Sequence, residues 1–224
     1  MLKFNKVSKE FRLDHENTIM PVCDVNLEID KGELIVIIGR SGTGKTTLLN
    51  LAAGMVKPTS GQVLIDDKDL AQLNDKELSS LRTKKIGFMF QFPSLIPALN
   101  IKDNVSLPAI FTRQVSDKAA GERAVKLLDM LGLSSKTNVY PKQLSAGEQK
   151  RVVIARSLIN EPKIVLADEP TSDLDERTEQ EVMDILLDIK SRGVTFLMVT
   201  HNKDLVKFAS RAFEMDHGSL IPVM

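Results

Sequence analysis

The feature that most constrains the fold is the pattern G-x-x-x-x-G-K-[ST], which runs from Gly39 to Thr46. The apolar tetrad Ile35–Ile38 precedes it, and a helical pattern follows over residues 46–53. A glycine-rich loop between a buried strand and a helix lets backbone amides approach phosphate oxygens. The alternative is a glycine-rich turn that binds nothing, but the four fixed positions would match by chance in only roughly one such chain in a hundred. We therefore predict a phosphate-binding loop.

Each part of this loop has an expected contact with a nucleotide. Lys45 is predicted to reach the β- and γ-phosphates, and the hydroxyl of Thr46 to bind magnesium. The glycines permit close backbone approach and unusual dihedral angles. The predicted nucleotide contacts are Gly39, Arg40, Ser41, Gly42, Thr43, Gly44, Lys45, Thr46 and Thr47.

The apolar pattern predicts an α/β fold, namely a P-loop NTPase core with a mostly parallel sheet. Ile164–Ala167 and Phe196–Val199 are further apolar tetrads, typical of strands covered on both faces. Residues 1–31 alternate more, which indicates an N-terminal antiparallel β-subdomain. Strand signals vanish over residues 92–160, so a helical insert is expected there. We expect residues 1–224 to form a single domain.

Composition excludes several classes of protein. Thirty basic and 30 acidic residues give a formal net charge of zero, which argues against a nucleic-acid partner. The single Cys23 excludes a disulfide within the chain and fits a reducing compartment. Residues 1–6 lack the apolar run of a secretory signal. The run around Leu34–Ile38 is far shorter than the roughly 20 residues that span a bilayer. We expect a soluble, cytosolic protein.

Polar side chains stand where three predicted strands end. Asp168 and Glu169 follow one apolar tetrad, His201 follows another, and Gln91 follows a third apolar segment. Ligands bind at this edge in open α/β sheets. Asp168 is a candidate magnesium ligand, and Glu169 is a candidate to polarise an attacking water. Taken singly, each also fits a solvated loop residue. The local acidic run lacks the EF-hand spacing for calcium.

A second motif, Leu144–Gln149, lies about a hundred residues after the first and reads LSAGEQ. With Asp168–Ser172 and Ser172–Asp175 in the same order, the chain resembles the ATP-binding cassette (ABC) ATPase family over essentially its whole length. In this comparison Leu144–Gln149 is similar to the family signature, and Lys150–Arg156 is very close to the helix that follows it. Ser172–Asp175 resembles the family's D-loop.

The resemblance implies a role for each motif. Gln91 stands at the position of the Q-loop glutamine, which senses magnesium and water and links to a transmembrane partner. Phe11 is the candidate to stack on adenine, while Ser145 and Gly147 would bind an ATP molecule held by a second subunit. The implied catalytic residues are Glu169, His201, Gln91 and Lys45, and the implied magnesium contacts are Thr46, Gln91 and Asp168.

The chain departs from the family pattern at four positions. Ala146 replaces the commoner signature glycine, and Glu148 replaces the commoner glutamine. Asp173 stands where the D-loop usually has a small residue, and Phe11 replaces the usual tyrosine. None of these changes removes a catalytic group. The resemblance therefore implies an active ATPase that uses ATP and Mg²⁺.

Ile86–Gln91 and Ser94–Pro97 resemble the branch that serves lipoprotein release and macrolide-type export, whose membrane subunits are separate chains. This implies a homodimer that binds a separate integral-membrane permease, at the cytoplasmic face of the inner membrane, as a peripheral protein. The permease would dock on apolar residues after Gln91, or these residues would belong to the core of the helical insert. They are Phe92, Leu95, Ile96 and Leu99.

Two other functions within the family remain open at this stage. One is a cassette that drives a non-transport membrane machine, such as the cell-division type that controls wall hydrolases. The other is a soluble cassette that acts on ribosomes, DNA or iron–sulfur assembly. Ribosomal types usually carry two cassettes, and DNA-repair types carry long coiled-coil inserts. A GTPase is excluded because Asn202–Leu205 breaks the N-K-x-D pattern. The transported substrate is not predicted.

Overall fold

The structure is a computed structural model that describes residues 1–12, 14, 17–112 and 115–223. Its strands are β1 Leu2–Arg12, β2 Thr18–Ile29, β3 Leu34–Ile38, β4 Ser60–Ile65, β5 Lys68–Asp69, β6 Ile86–Met89, β7 Ile164–Asp168, β8 Thr195–Thr200, β9 Arg211–Asp216 and β10 Ser219–Pro222. Its α-helices are α1 Lys45–Ala52, α2 Asp75–Lys85, α3 Ile101–Thr112, α4 Asp117–Met130, α5 Ala146–Leu158 and α6 Glu176–Ser191. Short 3₁₀ turns connect several of these elements.

The core sheet has the strand order β10-β9-β3-β8-β7-β6. All pairs in it are parallel except β9 with β10. Every residue of β3, β7 and β8 is buried, which explains why these strands read as unbroken apolar runs rather than alternating ones. The predicted fold class is confirmed.

Alternate residues of the core strands point to opposite faces of this sheet. Val36 and Val165 belong to an apolar cluster with the helices that follow β6, whereas Ile37 and Leu166 belong to a second cluster with β1, β2 and α1. This is the two-residue period of a strand. The core sheet is therefore covered on both faces, so polar groups are accommodated where its strands end.

A smaller antiparallel sheet has the order β2-β1-β4-β5. The predicted N-terminal antiparallel strands are β1 and β2, and Gly32 follows them with a φ angle of +76°. Strands β4 and β5, which follow α1 and also join this sheet, were not predicted from the sequence. Only Val63 and Ile65 of β4 are buried, so its apolar alternation is too short to stand out.

The chain between β6 and β7 carries α3, α4 and α5, in the range predicted for a helical insert. Val105, Ala124, Leu128 and Val153 are almost fully buried within one apolar cluster. The division of the chain into one domain with this insert stays a prediction. In the described part of the chain, every helix is too short or too polar to cross a membrane.

Two glycines give a test of this packing. A Cβ at Gly87, in β6, would lie 2.4 Å from the carbonyl oxygen of Ser157, in α5, whereas a Cβ at Gly121, in α4, would meet no atom within 4 Å. We expect Gly87→Ala to lower the free energy of unfolding by about 1–3 kcal/mol through overpacking. The control Gly121→Ala should raise it by up to about 1 kcal/mol, because alanine is the better helix former. Urea denaturation measures both, and equal effects would contradict the close approach of β6 and α5.

Candidate active site

A cleft of about 680 Å³ opens where the loop after β3 meets the ends of β6, β7 and β8. These strands are neighbours or near neighbours in the core sheet although they lie far apart in the sequence. The predicted site residues that line this cleft are Phe11, Arg40, Ser41, Gly42, Gly44, Lys45, Thr46, Thr47, Gln91, Asp168, Glu169 and His201. The fold therefore brings most of the predicted site into one place.

The loop between β3 and α1 has the strand–loop–helix setting that a phosphate-binding loop requires. Gly44 directly precedes α1 with a φ angle of +106°, and a Cβ there would lie 1.8 Å from the carbonyl oxygen of Pro21 in β2. Lys45 Nζ donates to the carbonyl oxygens of Gly39 (2.6 Å) and Arg40 (2.9 Å). The hydroxyl of Thr43 also donates to the Arg40 carbonyl, at 2.9 Å. The loop is thus closed by its own side chains, and only glycine fits at position 44.

Asp168 ends β7 beside Thr46, whose hydroxyl forms a hydrogen bond with its carboxylate. Burial raises the pKa of Asp168, while the Thr46 hydrogen bond and the Lys45 charge act in the opposite direction. Burial also lowers the pKa of Lys45. A further cation would therefore favour the ionised carboxylate. A hydroxyl and a carboxylate are hard oxygen donors of the kind that Mg²⁺ accepts, with its other ligands supplied by phosphate and water.

Glu169 directly follows β7 and is held in a left-handed backbone conformation, with a φ angle of +47°. Its N–H donates to the carbonyl of Val199 at 2.9 Å. Its Oε2 accepts a hydrogen bond from the hydroxyl of Thr200 at 3.0 Å and lies 3.0 Å from Nδ1 of His201. The side chain of His201 is exposed, but that of Glu169 is largely buried. The arrangement fixes one carboxylate at the edge of the cleft, where it can accept a proton from water.

Sequence reasoning missed the groups that hold this carboxylate. Thr200 ends β8, and its hydroxyl accepts from the N–H of Asn202 at 3.0 Å. The amide of Asn202 donates to Glu179, which also accepts from the hydroxyl of Thr171 at 2.8 Å. Threonine is common in strands, so Thr200 does not stand out by residue type. Only its position between the apolar tetrad Phe196–Val199 and His201 could have indicated a role in the site.

Phe11 lies at the apolar end of the cleft, beside two residues of β2 that the sequence analysis did not select, Ile19 and Pro21. Phe11 and Ile19 are register partners between β1 and β2. Lys9 Nζ lies 4.9 Å from the centre of the Phe11 ring. Flat apolar side chains suit the face of a nucleobase. The stacking role of Phe11 stays a prediction.

Ser145 and Gly147 do not line this cleft in the part of the chain that the structure describes. Ser145 caps the N-terminus of α5: its hydroxyl accepts from the N–H of Glu148, and the carboxylate of Glu148 accepts from the N–H of Ser145 at 2.9 Å. The same carboxylate lies 2.5 Å from Lys136 Nζ, which lowers the pKa of Glu148. Glu148, which replaces the glutamine commoner in the family, is therefore paired with the basic side chain of Lys136.

Asp173, another departure, is exposed on the turn before α6 with a φ angle of +64°. Aspartate is among the few residues other than glycine that enter this region readily. Gln91 is also exposed, and it lines both the main cleft and an adjoining polar cleft that Asp173 shares. These two residues therefore lie on the open side of the site.

The chain is similar to known proteins over most of its length. Residues 22–172 match the sequence profile of the ABC transporter family. The chain is 39% identical over 221 residues to the lipoprotein-releasing system ATP-binding protein LolD of Bacteroides thetaiotaomicron, with 98% of this chain and 99% of that protein aligned. It is 42% identical over 207 residues to the macrolide export ATP-binding/permease protein MacB of Mannheimia succiniciproducens, covering 92% of this chain and 32% of that protein.

Among solved structures, the dimeric structure of the ABC transporter cassette MJ0796 is similar, with a TM-score of 0.90 and 40% identity over 98% of this chain and 96% of that chain. A second structure of that cassette, described as a post-hydrolysis state bound to ADP and Pi, matches equally well.

Fold and site together define a phosphate-loop ATPase whose polar groups stand at the ends of adjacent parallel strands. The chain belongs to the ABC transporter family, as an ABC ATPase cassette. The resemblance seen in the sequence is confirmed, including its likeness to the branch for lipoprotein release and macrolide export.

Thr200 gives a prediction for hydrolysis. Thr200→Val keeps the shape of the side chain but removes the hydroxyl that orients Glu169, so we expect kcat to fall about 10- to 100-fold, the scale for a reacting group displaced by up to about 1 Å. Thr200→Ser keeps the hydroxyl and should stay within about threefold of the parent on the same scale. Steady-state phosphate release from purified protein measures both. Equal rates for the two variants would show that this hydrogen bond does not matter.

Proposed function

We propose that this chain binds Mg²⁺-ATP and hydrolyses it as one half of a homodimer that drives a separate membrane permease. One observation carries the proposal: the cleft collects the phosphate loop, Asp168, Glu169 and His201, but Ser145 caps a helix outside it. A second copy of the chain would complete the site by bringing its own Ser145 to the bound nucleotide.

The residues of one subunit divide the chemistry between them. The amides of the phosphate loop and Lys45 bind the β- and γ-phosphates, where the α1 N-terminus favours negative charge. Thr46, Gln91 and Asp168 would hold Mg²⁺, which would supply positive charge to the phosphates. Glu169 accepts the proton of the attacking water, with its carboxylate fixed by Thr200 and His201.

The second subunit contributes the signature. The hydroxyl of Ser145 and the free amides at the start of α5, including that of Gly147, bind the γ-phosphate across the interface. ATP then joins two copies head to tail, and hydrolysis releases them. This is a two-state switch that nucleotide biases. The similarity to a cassette solved as a dimer supports this arrangement.

A surface beside Gln91 supports a membrane partner. Phe90, Phe92 and Ile96, which are close in the sequence, expose 44%, 69% and 40% of their areas, and exposed apolar patches mark interaction sites. Leu95 instead packs against the apolar core of the helices. Of the residues after Gln91, Phe92 and Ile96 are therefore free to dock a partner, whereas Leu95 belongs to the core of the helical insert. The permease would dock on the exposed members, at the cytoplasmic face of the membrane.

The head-to-tail arrangement can be tested by mixing two inactive variants. Lys45→Ala removes the cation that faces the phosphates, and Ser145→Arg blocks the signature. In a mixed dimer one composite site carries both changes and the other carries neither, so we expect up to about half of the sites to hydrolyse ATP if each site acts alone. Phosphate release after mixing, exchange and purification measures the recovery.

Hybrids of each variant with the unmodified chain are the control, because a dimer that needs two intact sites would be inactivated by either change. If these hybrids hydrolyse ATP and the mixed variants do not, Ser145 does not act across the interface.

The docking surface predicts which variants lose the permease. We expect a tagged chain to retain an integral-membrane protein from detergent-solubilised membranes, and Phe92→Asp to lose it, because a buried unpaired charge is costly at an interface. Ile221→Asp is the matched control, since Ile221 is 51% exposed on β10, at the opposite edge of the core sheet from β6. Mass spectrometry identifies the retained protein. Equal loss with both variants would place the docking surface elsewhere.

A further inference from the structure

Lys150 is a buried cation on α5, five residues after the Ser145 cap, with 5% of its area exposed. Its Nζ donates to the carbonyl oxygens of Gln91 (3.1 Å) and Glu169 (3.3 Å) and to the hydroxyl of Ser172 (3.3 Å). These acceptors lie after β6, after β7 and in the turn before α6. One ammonium group therefore joins three separate segments of the site to the helix that carries the signature.

The contacts of Lys150 are all with neutral oxygens, since no carboxylate in the described ranges forms an ion pair with it. Burial lowers the pKa of Lys150, and the carboxylates of Asp173 and Glu169 act in the opposite direction from a greater distance. Placing a cation in the interior without a paired anion costs stability relative to an apolar side chain. The benefit of Lys150 is therefore in what its ammonium group positions.

Among the residues that Lys150 contacts, Glu169 has the backbone conformation that most needs support from its neighbours. Its left-handed backbone, with a φ angle of +47°, persists only where the surroundings determine it. Its carbonyl oxygen accepts from Lys150 and also from the N–H of Ser172 at 3.2 Å. Lys150 thus fixes the main chain of Glu169, while Thr200 fixes the carboxylate.

Arg156, on the same helix, shows that this linkage is particular to Lys150. Its guanidinium donates to the carbonyl oxygens of Pro93 and Ser94, both at 2.8 Å. Those contacts hold only the segment that follows Gln91. Of these two cations, only Lys150 contacts Glu169 and Ser172.

We propose that Lys150 is a positioning residue for ATP hydrolysis: it holds the main chain at Gln91, Glu169 and Ser172 in one arrangement with the signature helix. The inference rests on the proposed role of Glu169 as the residue that accepts the proton of water. Lys150 touches neither nucleotide nor water in this scheme. Its effect reaches the reaction through Glu169.

The test compares kinetics with stability in the full chain. Lys150→Met removes every donor but keeps an unbranched side chain of similar length, and Lys150→Gln keeps two N–H donors. We expect Lys150→Met to lower kcat about 10- to 100-fold, the scale for a reacting group displaced by about 1 Å. The KM for ATP should change less than about twofold, since the phosphate loop is untouched. Its Tm should change little, because removal of the buried charge offsets the loss of the three hydrogen bonds. Lys150→Gln should lose less kcat than Lys150→Met.

Val153→Ala is the matched control for a purely structural effect. Val153 is 1% exposed on the same helix and lies in its apolar cluster, so the cavity should lower Tm by roughly 4–8 °C and leave kcat near that of the parent. Unchanged kcat in Lys150→Met would overturn the proposal. So would a loss of kcat in both variants that follows their loss of Tm.

Glu169→Gln separates this inference from the function on which it rests. It should lower turnover by at least about 10²-fold, the scale for a general base. Full turnover in Glu169→Gln would remove the proposed role of Glu169 itself. Loss of turnover in Glu169→Gln together with full turnover in Lys150→Met would leave that role standing and reject only the role of Lys150.

Discussion

The active site depends on the parallel register of four neighbouring strands. In that register Ile38 lies beside Thr200, Asp168 beside Val199, and Met89 beside Ala167. The carboxyl ends of β3, β8, β7 and β6 therefore meet at one edge, and each contributes its polar group there. A slip of one residue would send every side chain of a strand to the other face. The buried apolar faces prevent that slip, so the core that stabilises the fold also sets the distances in the site.

Burial at this edge makes its charges depend on one another. Lys45, Asp168 and Glu169 are each less than 10% exposed. Burial moves the pKa of Lys45 down and that of Asp168 up, and each charge opposes the shift of the other. A ligand that brings both negative phosphates and a cation stabilises the charged forms of these groups. The loop and the carboxylates therefore suit a metal–nucleotide complex better than either component alone.

The sequence was sufficient to predict those parts of the fold and the site that depend on residues close together in the chain. Fixed spacing revealed the loop around Lys45, and unbroken apolar runs revealed β3, β7 and β8 because both faces of these strands are buried. The polar residues Asp168 and His201 could be placed at strand ends for the same reason. The family resemblance, rather than periodicity, supplied Gln91, Ser145 and Phe11.

What the sequence did not reveal depends on contacts between distant residues. Lys150 donates to a carbonyl 59 positions away, and Thr200 donates to a carboxylate 31 positions away. No pattern within one element reports such a bond. Pro21, which lies beside the loop only through tertiary folding, was missed for the same reason, whereas β4 was missed because its two buried residues form too short an apolar alternation.

The contact between Pro21 and Gly44 has a consequence for affinity. The carbonyl of Pro21 occupies the space that a side chain at position 44 would need, and Pro21 also lines the apolar end of the cleft. One residue of β2 is therefore shared by the two ends of the pocket. With the base bound at that end, as the predicted role of Phe11 requires, a change in the base that moves Pro21 would also move the phosphate loop. The binding free energies of base and triphosphate would then be coupled, as expected for groups with a common neighbour, so we expect a change in the base to alter the binding of the phosphates as well.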